Sequence, residues 1–288
     1  MSRWWGVLVE AVKDWWRRDA GRPAAALAFY SLFALAPVLV VAVAAAGWIF
    51  GPQAARGEIE AQVTRLVGPD AAEAIQDLLA RAWRQSAAGW LSLGSLLISF
   101  AGATAAFVEL HSGLNAFWDI QPPAGGLLRL LRERLWALAL MMGIGLLLVA
   151  SVAAGAAWVA FWRMLGGGRA APALLEGANL LLPFALTAVL FALAFKFVPD
   201  AAIAWNDVWA GALLGSFLFV LGRSAIGWYL GGGALRSAYG AAGSVVVLLL
   251  WVYYSAQIFY FAAAFTAAYA RRLGSGLRAR HGGFPAAQ

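Results

Sequence analysis

The chain has 288 residues, of which 63% are hydrophobic and only 12% are charged. Soluble domains contain about 25% charged residues, so these charges are too few to cover a water-soluble globule of this length. The absence of cysteine excludes a disulfide framework, a thiolate zinc site and a cysteine nucleophile. With only His111 and His281, a multi-histidine metal centre is also excluded. The composition predicts a polytopic membrane protein without a metal or other cofactor.

The first segment, residues 1–22, predicts an amphipathic helix on the cytoplasmic side of the membrane. Trp5, Leu8, Val12 and Trp15 recur at helical spacing, and the basic residues lie away from that stripe. Such a helix suits the headgroup layer, and it equally suits packing on the cytoplasmic ends of a helix bundle. Both interpretations stay open.

Six long apolar runs then predict six transmembrane helices and an all-α fold. A helix needs about 20 apolar residues to cross the hydrocarbon, and backbone groups there must be satisfied within their own segment. The runs cover about residues 26–50, 88–110, 135–162, 178–198, 208–230 and 243–269.

Two further segments lie outside the predicted spans. Residues 51–87 contain two short apolar stripes separated by Gly68 and Pro69, which predicts a helical hairpin on the outer face. Residues 273–288 are basic and contain several glycines, and they are expected to form a disordered cytoplasmic tail with some attraction to anionic lipid.

The basic residues predict the orientation. With six spans, thirteen Lys and Arg residues fall on the side of the termini, seven fall on the other side, and Arg223 lies within a span. Because cytoplasmic loops carry the excess of positive charge, both termini are expected in the cytoplasm of a bacterial inner membrane. The +7 net charge is distributed over loops and tails rather than one stripe, so no nucleic-acid partner is expected.

Eight polar residues in or beside the spans are candidate contacts for a substrate or a pathway: Arg223, Tyr253, Gln257, Tyr260, Tyr30, Asn115, Glu109 and Lys196. Arg223 is the most informative, because a charge within a span costs at least about 2.5 kcal/mol. It either snorkels to the outer headgroups, contacts a phosphate or carboxylate, or forms a structural pair.

The other candidates also admit two interpretations each. Tyr253, Gln257 and Tyr260 follow the i, i+4, i+7 spacing of one helix face, which suits either contacts between helices or a polar pathway. Tyr30, in the first span before Pro37, poses the same choice.

At the ends of the second and fourth spans, the candidates have simpler explanations. Glu109, His111 and Asn115 suit a proton relay or merely an interfacial position. Lys196, next to Pro199 and Asp200, is typical of a span end that sets topology.

Three stretches together resemble a known family: AALAFYSLFALAPVLVVAVAAAGWIFG, FAGATAAFVELHSGLNAFWDI, and FVPDAAIAWNDVWAGALLGSFLFVLGRSAIGWYL running on to AYGAAGSVVVLLLWVYYSAQIFYFAAAFT. They resemble the YihY/virulence factor BrkB family of bacterial inner-membrane proteins, over about residues 20–272. The matching positions are Tyr30, Pro37, Leu114, Asn115, Trp118, Pro199, Gly211, Tyr229, Tyr239, Gly240, Trp251, Tyr253 and Tyr254. Many relatives carry a glycine and an acid in the last span, where this chain has Ala262 and Ala264, so no mechanism based on that carboxylate applies here.

The resemblance implies a membrane protein with a transport function, in some members for lipid-type substrates. Members were earlier labelled ribonuclease BN, but a nuclease needs clustered carboxylates or histidines, and the sequence shows no such cluster. We therefore expect no enzyme activity. The expected function is transport or translocation of an amphipathic, anionic, lipid-like substrate, with membrane lipids as partners. The alternative is a non-catalytic structural or assembly protein of the envelope.

Overall fold

A computed structural model describes residues 3–34, 64, 72–73, 90–121, 135, 139, 143, 171–231, 243–276, 278–279 and 284–285. The predicted outer hairpin, most of the predicted third span and the second part of the first span lie outside these residues. The described part of the chain is mostly helical, as the sequence predicts.

The helices, in chain order, are α1 (Arg3–Arg17), α2 (described over residues 21–34), α3 (Trp90–Phe117), α4 (Ala171–Phe197), α5 (Trp205–Gly231) and α6 (Gly243–Arg272). The predicted second, fourth, fifth and sixth spans fall on α3, α4, α5 and α6. Within the part of the chain that the structure describes, two stretches are suited by length and composition to cross a membrane, namely Trp205–Ile226 within α5 and Val245–Arg272 within α6. A shorter apolar helical stretch, Pro183–Phe197, lies within α4.

Two short antiparallel strand pairs connect the C-terminal tail to the segments that follow α3 and α4. Strand β1 (Ile120–Gln121) pairs with β4 (Phe284–Pro285), and β2 (Ala201–Ala202) pairs with β3 (Arg278–Ala279). The sequence predicts a disordered tail here, and the structure differs in these four tail residues because their backbone groups find partners on β1 and β2.

The main core lies where α3, α4 and α6 meet. The ring of Phe195 on α4 lies 5.0 Å from that of Phe259 and 6.0 Å from that of Trp118, measured between centroids. Trp118 and Phe195 are essentially inaccessible to solvent. Aromatic pairs at such separations add to the free energy gained from area burial alone.

Glycines on α5 allow it to approach α6 closely. A Cβ placed on Gly215 would lie 2.7 Å from the Cβ of Ala262, and one on Gly211 would lie 2.9 Å from the Ala262 carbonyl oxygen. Such separations leave no room for a side chain. In hydrocarbon, helix association depends on van der Waals packing between small residues, so these glycines position α5 against α6.

We predict that Gly211→Ala lowers the stability of the protein. The new methyl group would meet the backbone of α6 and the Thr266 side chain, and overpacking of this kind costs about 1–3 kcal/mol. The measurement is the thermal unfolding midpoint of the full chain in detergent. Gly143→Ala is the matched control, because a Cβ at Gly143 has nothing within 4 Å. Equal unfolding midpoints for the two variants would contradict the close packing of α5 and α6.

Candidate functional site

A polar cluster, consisting of His111, Asn115 and Asp200, lies between the end of α3 and the segment after α4. The Asn115 amide donates to Asp200 Oδ2 at 3.1 Å, and the Asp200 backbone N–H donates to Asn115 Oδ1 at 2.9 Å. His111 Nε2 lies 3.2 Å from Asp200 Oδ2. Asn115 is 2% exposed, so these hydrogen bonds satisfy an amide that could not otherwise be buried.

We predict that Asn115→Leu lowers the stability of the protein, because the Asn115 amide holds the structure together rather than contacting a substrate. The substitution removes both hydrogen bonds between the Asn115 side chain and Asp200, and each is worth about 0.5–1.5 kcal/mol. Chemical or thermal unfolding in detergent measures the change. Asn206→Leu is the control, since Asn206 is exposed on α5. A stability loss no larger than that of the control would refute a structural role for the amide.

Lys196 and Asp207 support the same end of the bundle. The Lys196 ammonium donates to the Ile203 carbonyl oxygen and lies 5.4 Å from the Trp205 ring centroid. Asp207 accepts from the Ser275 hydroxyl at 2.7 Å and from the Ser275 backbone N–H at 3.0 Å. The candidate Lys196 therefore holds the connection between α4 and α5.

Helix α1 is attached to α6 by an ion-pair cluster of Glu10, Asp14, Arg271 and Arg272. Arg271 Nε donates to Glu10 at 3.0 Å and its Nη2 donates to Asp14, while Arg272 also donates to Glu10. Asp14 is 4% exposed and additionally accepts from Arg17 at 2.6 Å. A buried carboxylate requires such partners, so the cluster fixes α1 along the C-terminal half of α6.

The predicted stripe of α1 is divided between the bundle and the surface: Leu8 and Trp15 are partly buried against the core. Val7, Ala11 and Asp14 are buried, because small side chains allow close approach and the acid meets Arg271. Trp5, Val12 and Trp16 are exposed, Trp16 by 77%. Helix α1 therefore packs on the bundle, as one of the two interpretations left open by the sequence expects, and the headgroup contact of its exposed side chains stays a prediction.

A cleft of about 390 Å³ lies between α1, α5 and α6. Its lining is Val12 and Trp15 from α1, Leu218, Leu221, Gly222 and Ala225 from α5, and Tyr254, Gln257, Ile258 and Phe261 from α6. This volume is in the range of ligand sites, and the lining is largely apolar with few polar groups, as is common for such sites.

Polar groups lie at one side of this cleft. Gln257 Nε2 donates to the Tyr253 hydroxyl at 2.8 Å. Within the described part of the chain, Gln257 Oε1 and the Trp15 indole nitrogen are buried without a hydrogen-bond partner. Buried polar atoms are normally hydrogen-bonded. The side of the cleft near Gln257 is therefore polar, whereas the rest of the lining is largely apolar.

The structure divides the last-span candidates between two surroundings. Tyr253 is exposed and pairs with Gln257, beside the cleft. Tyr260 is fully buried against α3, where its ring stacks on Phe117 at 5.7 Å and its hydroxyl lies 3.4 Å from the Glu109 carbonyl oxygen. Tyr260 and Glu109 therefore connect two helices at this point.

Arg223 and Tyr30 lie outside the cleft lining. Arg223 is half-buried on α5, next to Gly222, and within the described ranges it has no hydrogen bond or ion pair. Tyr30 is half-buried on α2, with its ring 5.6 Å from that of Phe29. Over those same ranges, no three His, Asp or Glu side chains are grouped so that they could hold a metal ion.

Cleft residues such as Gly222 and Tyr254, and the acids of α1, were not among the sequence candidates. A Cβ on Gly222 would lie 2.5 Å from Tyr254 Cε1, so this glycine makes room for the tyrosine ring. The sequence signal for the α1 cluster was two acids on α1 and two arginines at the end of the last span, but nothing in the sequence placed them side by side.

These features define a helical membrane protein with apolar helices around a lateral cleft. Comparison with known families identifies which one: residues 11–282 match the profile of the family described as "Virulence factor BrkB", so the chain belongs to that family. This confirms the resemblance seen in the sequence.

Curated relatives are named UPF0761 membrane protein. Those from Verminephrobacter eiseniae, Rhodospirillum centenum and Alcanivorax borkumensis are 30%, 27% and 27% identical over 91%, 91% and 81% of this chain. The aligned region spans 62%, 57% and 53% of their own lengths, so the chain corresponds to somewhat more than half of each relative. No solved structure matches the chain.

Proposed function

We propose that the chain is a six-span bacterial inner-membrane protein that transports or translocates an amphipathic, anionic, lipid-like substrate. The observation that carries the proposal is the apolar cleft between α1, α5 and α6. Two of its walls belong to the helices whose length and composition suit a membrane span. A molecule that enters between such helices has to be largely apolar, because the surrounding hydrocarbon excludes polar solutes.

The alternative, an envelope scaffold without a pathway, is supported by a different observation. Asn115, Lys196 and Tyr260 all direct polar groups to partners within the described protein. This pattern is typical of contacts that hold helices together. A scaffold would use the same contacts but would have no need of the cleft, so changes in the cleft distinguish the two functions. Arg223 stays a candidate substrate contact outside the cleft.

The proposed topology places both termini in the cytoplasm. The ends of α3, α4 and α6 and the start of α5 meet at one end of the bundle, since Asn115 contacts Asp200 and Asp207 contacts Ser275. This arrangement agrees with spans that alternate in direction. The excess of arginine and lysine at this end supports a cytoplasmic location.

We predict that cysteines introduced at Ser2 and Ser275 are protected from a membrane-impermeant thiol reagent in intact cells, whereas one at Glu73, an exposed position of the predicted outer loop, is labelled. The chain contains no other cysteine, so each variant reports one position. Labelling after permeabilisation of the cells controls for burial of the thiol. Labelling of both terminal positions from outside would overturn the proposed orientation.

We also predict that Ala225→Trp, which places an indole in the cleft, strongly reduces transfer of a fluorescent anionic phospholipid across proteoliposome membranes. A cost of about 1–3 kcal/mol for overfilling an occupied site corresponds to roughly fivefold to more than hundredfold lower occupancy. Ser224→Trp is the matched control, since Ser224 is an exposed neighbour that does not line the cleft. Equal transfer rates for both variants and the unmodified protein would argue for the scaffold.

A further inference from the structure

A charged turn lies beside the middle of α6. Residues 18–20 connect α1 to α2, and a Cβ placed on Gly21 would lie 3.5 Å from the Tyr253 hydroxyl and 3.6 Å from Gln257 Nε2. Helix α6 has 30 residues and is therefore about 45 Å long, and Gln257 is near its midpoint. The turn thus brings Arg18, Asp19 and Arg22 to the central part of an apolar helix.

The two arginines of this turn differ in how closely their guanidinium groups are paired with other groups. Arg18 donates to the Asp119 carboxylate and to the Ala116 carbonyl oxygen. The Arg22 side chain is 87% exposed, and its ion pair with Asp19 is 3.8 Å long. An ion pair of this length between exposed groups contributes little, so the Arg22 guanidinium is available to another anion.

The cleft and the turn adjoin each other at Gln257. This residue lines the cleft, and it also lies next to Gly21, which immediately precedes Arg22. Arg22 is therefore the next residue after the glycine that contacts the polar side of a largely apolar cleft, and its side chain is exposed. Only a molecule with both an anionic group and an apolar chain is complementary to both parts.

We infer that the cleft and Arg22 form one binding site for an anionic membrane phospholipid, with an acyl chain in the cleft and the phosphate at the Arg22 guanidinium. Arginine binds phosphate through two parallel hydrogen bonds, which favours it as a headgroup contact. Leu221 lines the cleft and is 53% exposed, so the cleft opens at the outer surface of α5, where lipid is the solvent. This inference rests on the proposed function and names its substrate class and its headgroup contact.

Lipid binding to the purified full chain in detergent tests the site without requiring transport. The probes are phosphatidylglycerol and phosphatidylcholine with identical chains, measured by native mass spectrometry. Arg22→Gln should weaken phosphatidylglycerol binding roughly fivefold and leave phosphatidylcholine unchanged, because one basic residue contributes about that much to attraction of an anionic lipid. Arg22→Lys should retain most of the preference. Arg3→Gln, which removes an exposed charge from the other end of α1, should change neither lipid.

Ala225→Trp tests the chain-binding part, and it should weaken both lipids equally, with Ser224→Trp as control. Unchanged phosphatidylglycerol binding by Arg22→Gln, equal losses for both lipids, or unchanged binding by Ala225→Trp would each overturn the site. If the protein transports lipid but Arg22→Gln binds phosphatidylglycerol as well as the unmodified protein does, the binding site is disproved and the proposed function still stands. The predicted binding pattern without any transport would support the site and disprove transport.

Discussion

The small side chains of α6 are the constraint on which the rest of the described structure depends. Ala262, Ala263, Ala267 and Ala268 are all inaccessible to solvent, because neighbouring helices cover this helix on several sides. Lipid provides no hydrophobic force that drives helices together, so close van der Waals contact has to supply the association. Glycines of α5 meet one side of α6, and Val7 and Ala11 of α1 pack with Phe265 and Ala268 on another. The cleft lies where larger side chains of α6, among them Tyr254 and Phe261, replace alanine.

The acidic residues of α1 are paired with α6, whereas Arg22, just after α1, has only a weak ion pair. In the second half of α1, Glu10 and Asp14 neutralise Arg271 and Arg272, which would otherwise be costly to keep partly buried. At the start of α2, the positive charge of Arg22 is only weakly paired. Helix α1 thus supplies a fixed attachment to the bundle, and the start of α2 supplies an exposed cation.

The class of protein, its family and the positions of four described helices could be predicted from the sequence, because long apolar runs have few alternatives in a membrane. The i, i+4 pattern also correctly placed Tyr253 and Gln257 side by side. The partners of Asn115 and the burial of Asp14 could not be predicted, since they depend on segments 85 and 257 residues away. The cleft could not be predicted for the same reason: its lining comes from three helices, and periodicity within one helix carries no information about its neighbours. The inward packing of Val7 and Ala11 was also missed, because large apolar residues are more conspicuous in the sequence than these two small ones.

The long separation between α1 and α6 has a consequence for how the protein is made. Glu10 and its partner Arg271 are 261 residues apart in the chain. At synthesis rates of about 5–20 residues per second, α1 leaves the ribosome roughly 13–50 s before the arginines that neutralise its acids. During that interval α5 and α6, which supply the other two walls of the cleft, are not yet complete. The cleft therefore forms only when the last helix has been inserted. A chain that ends before α6 lacks the cleft.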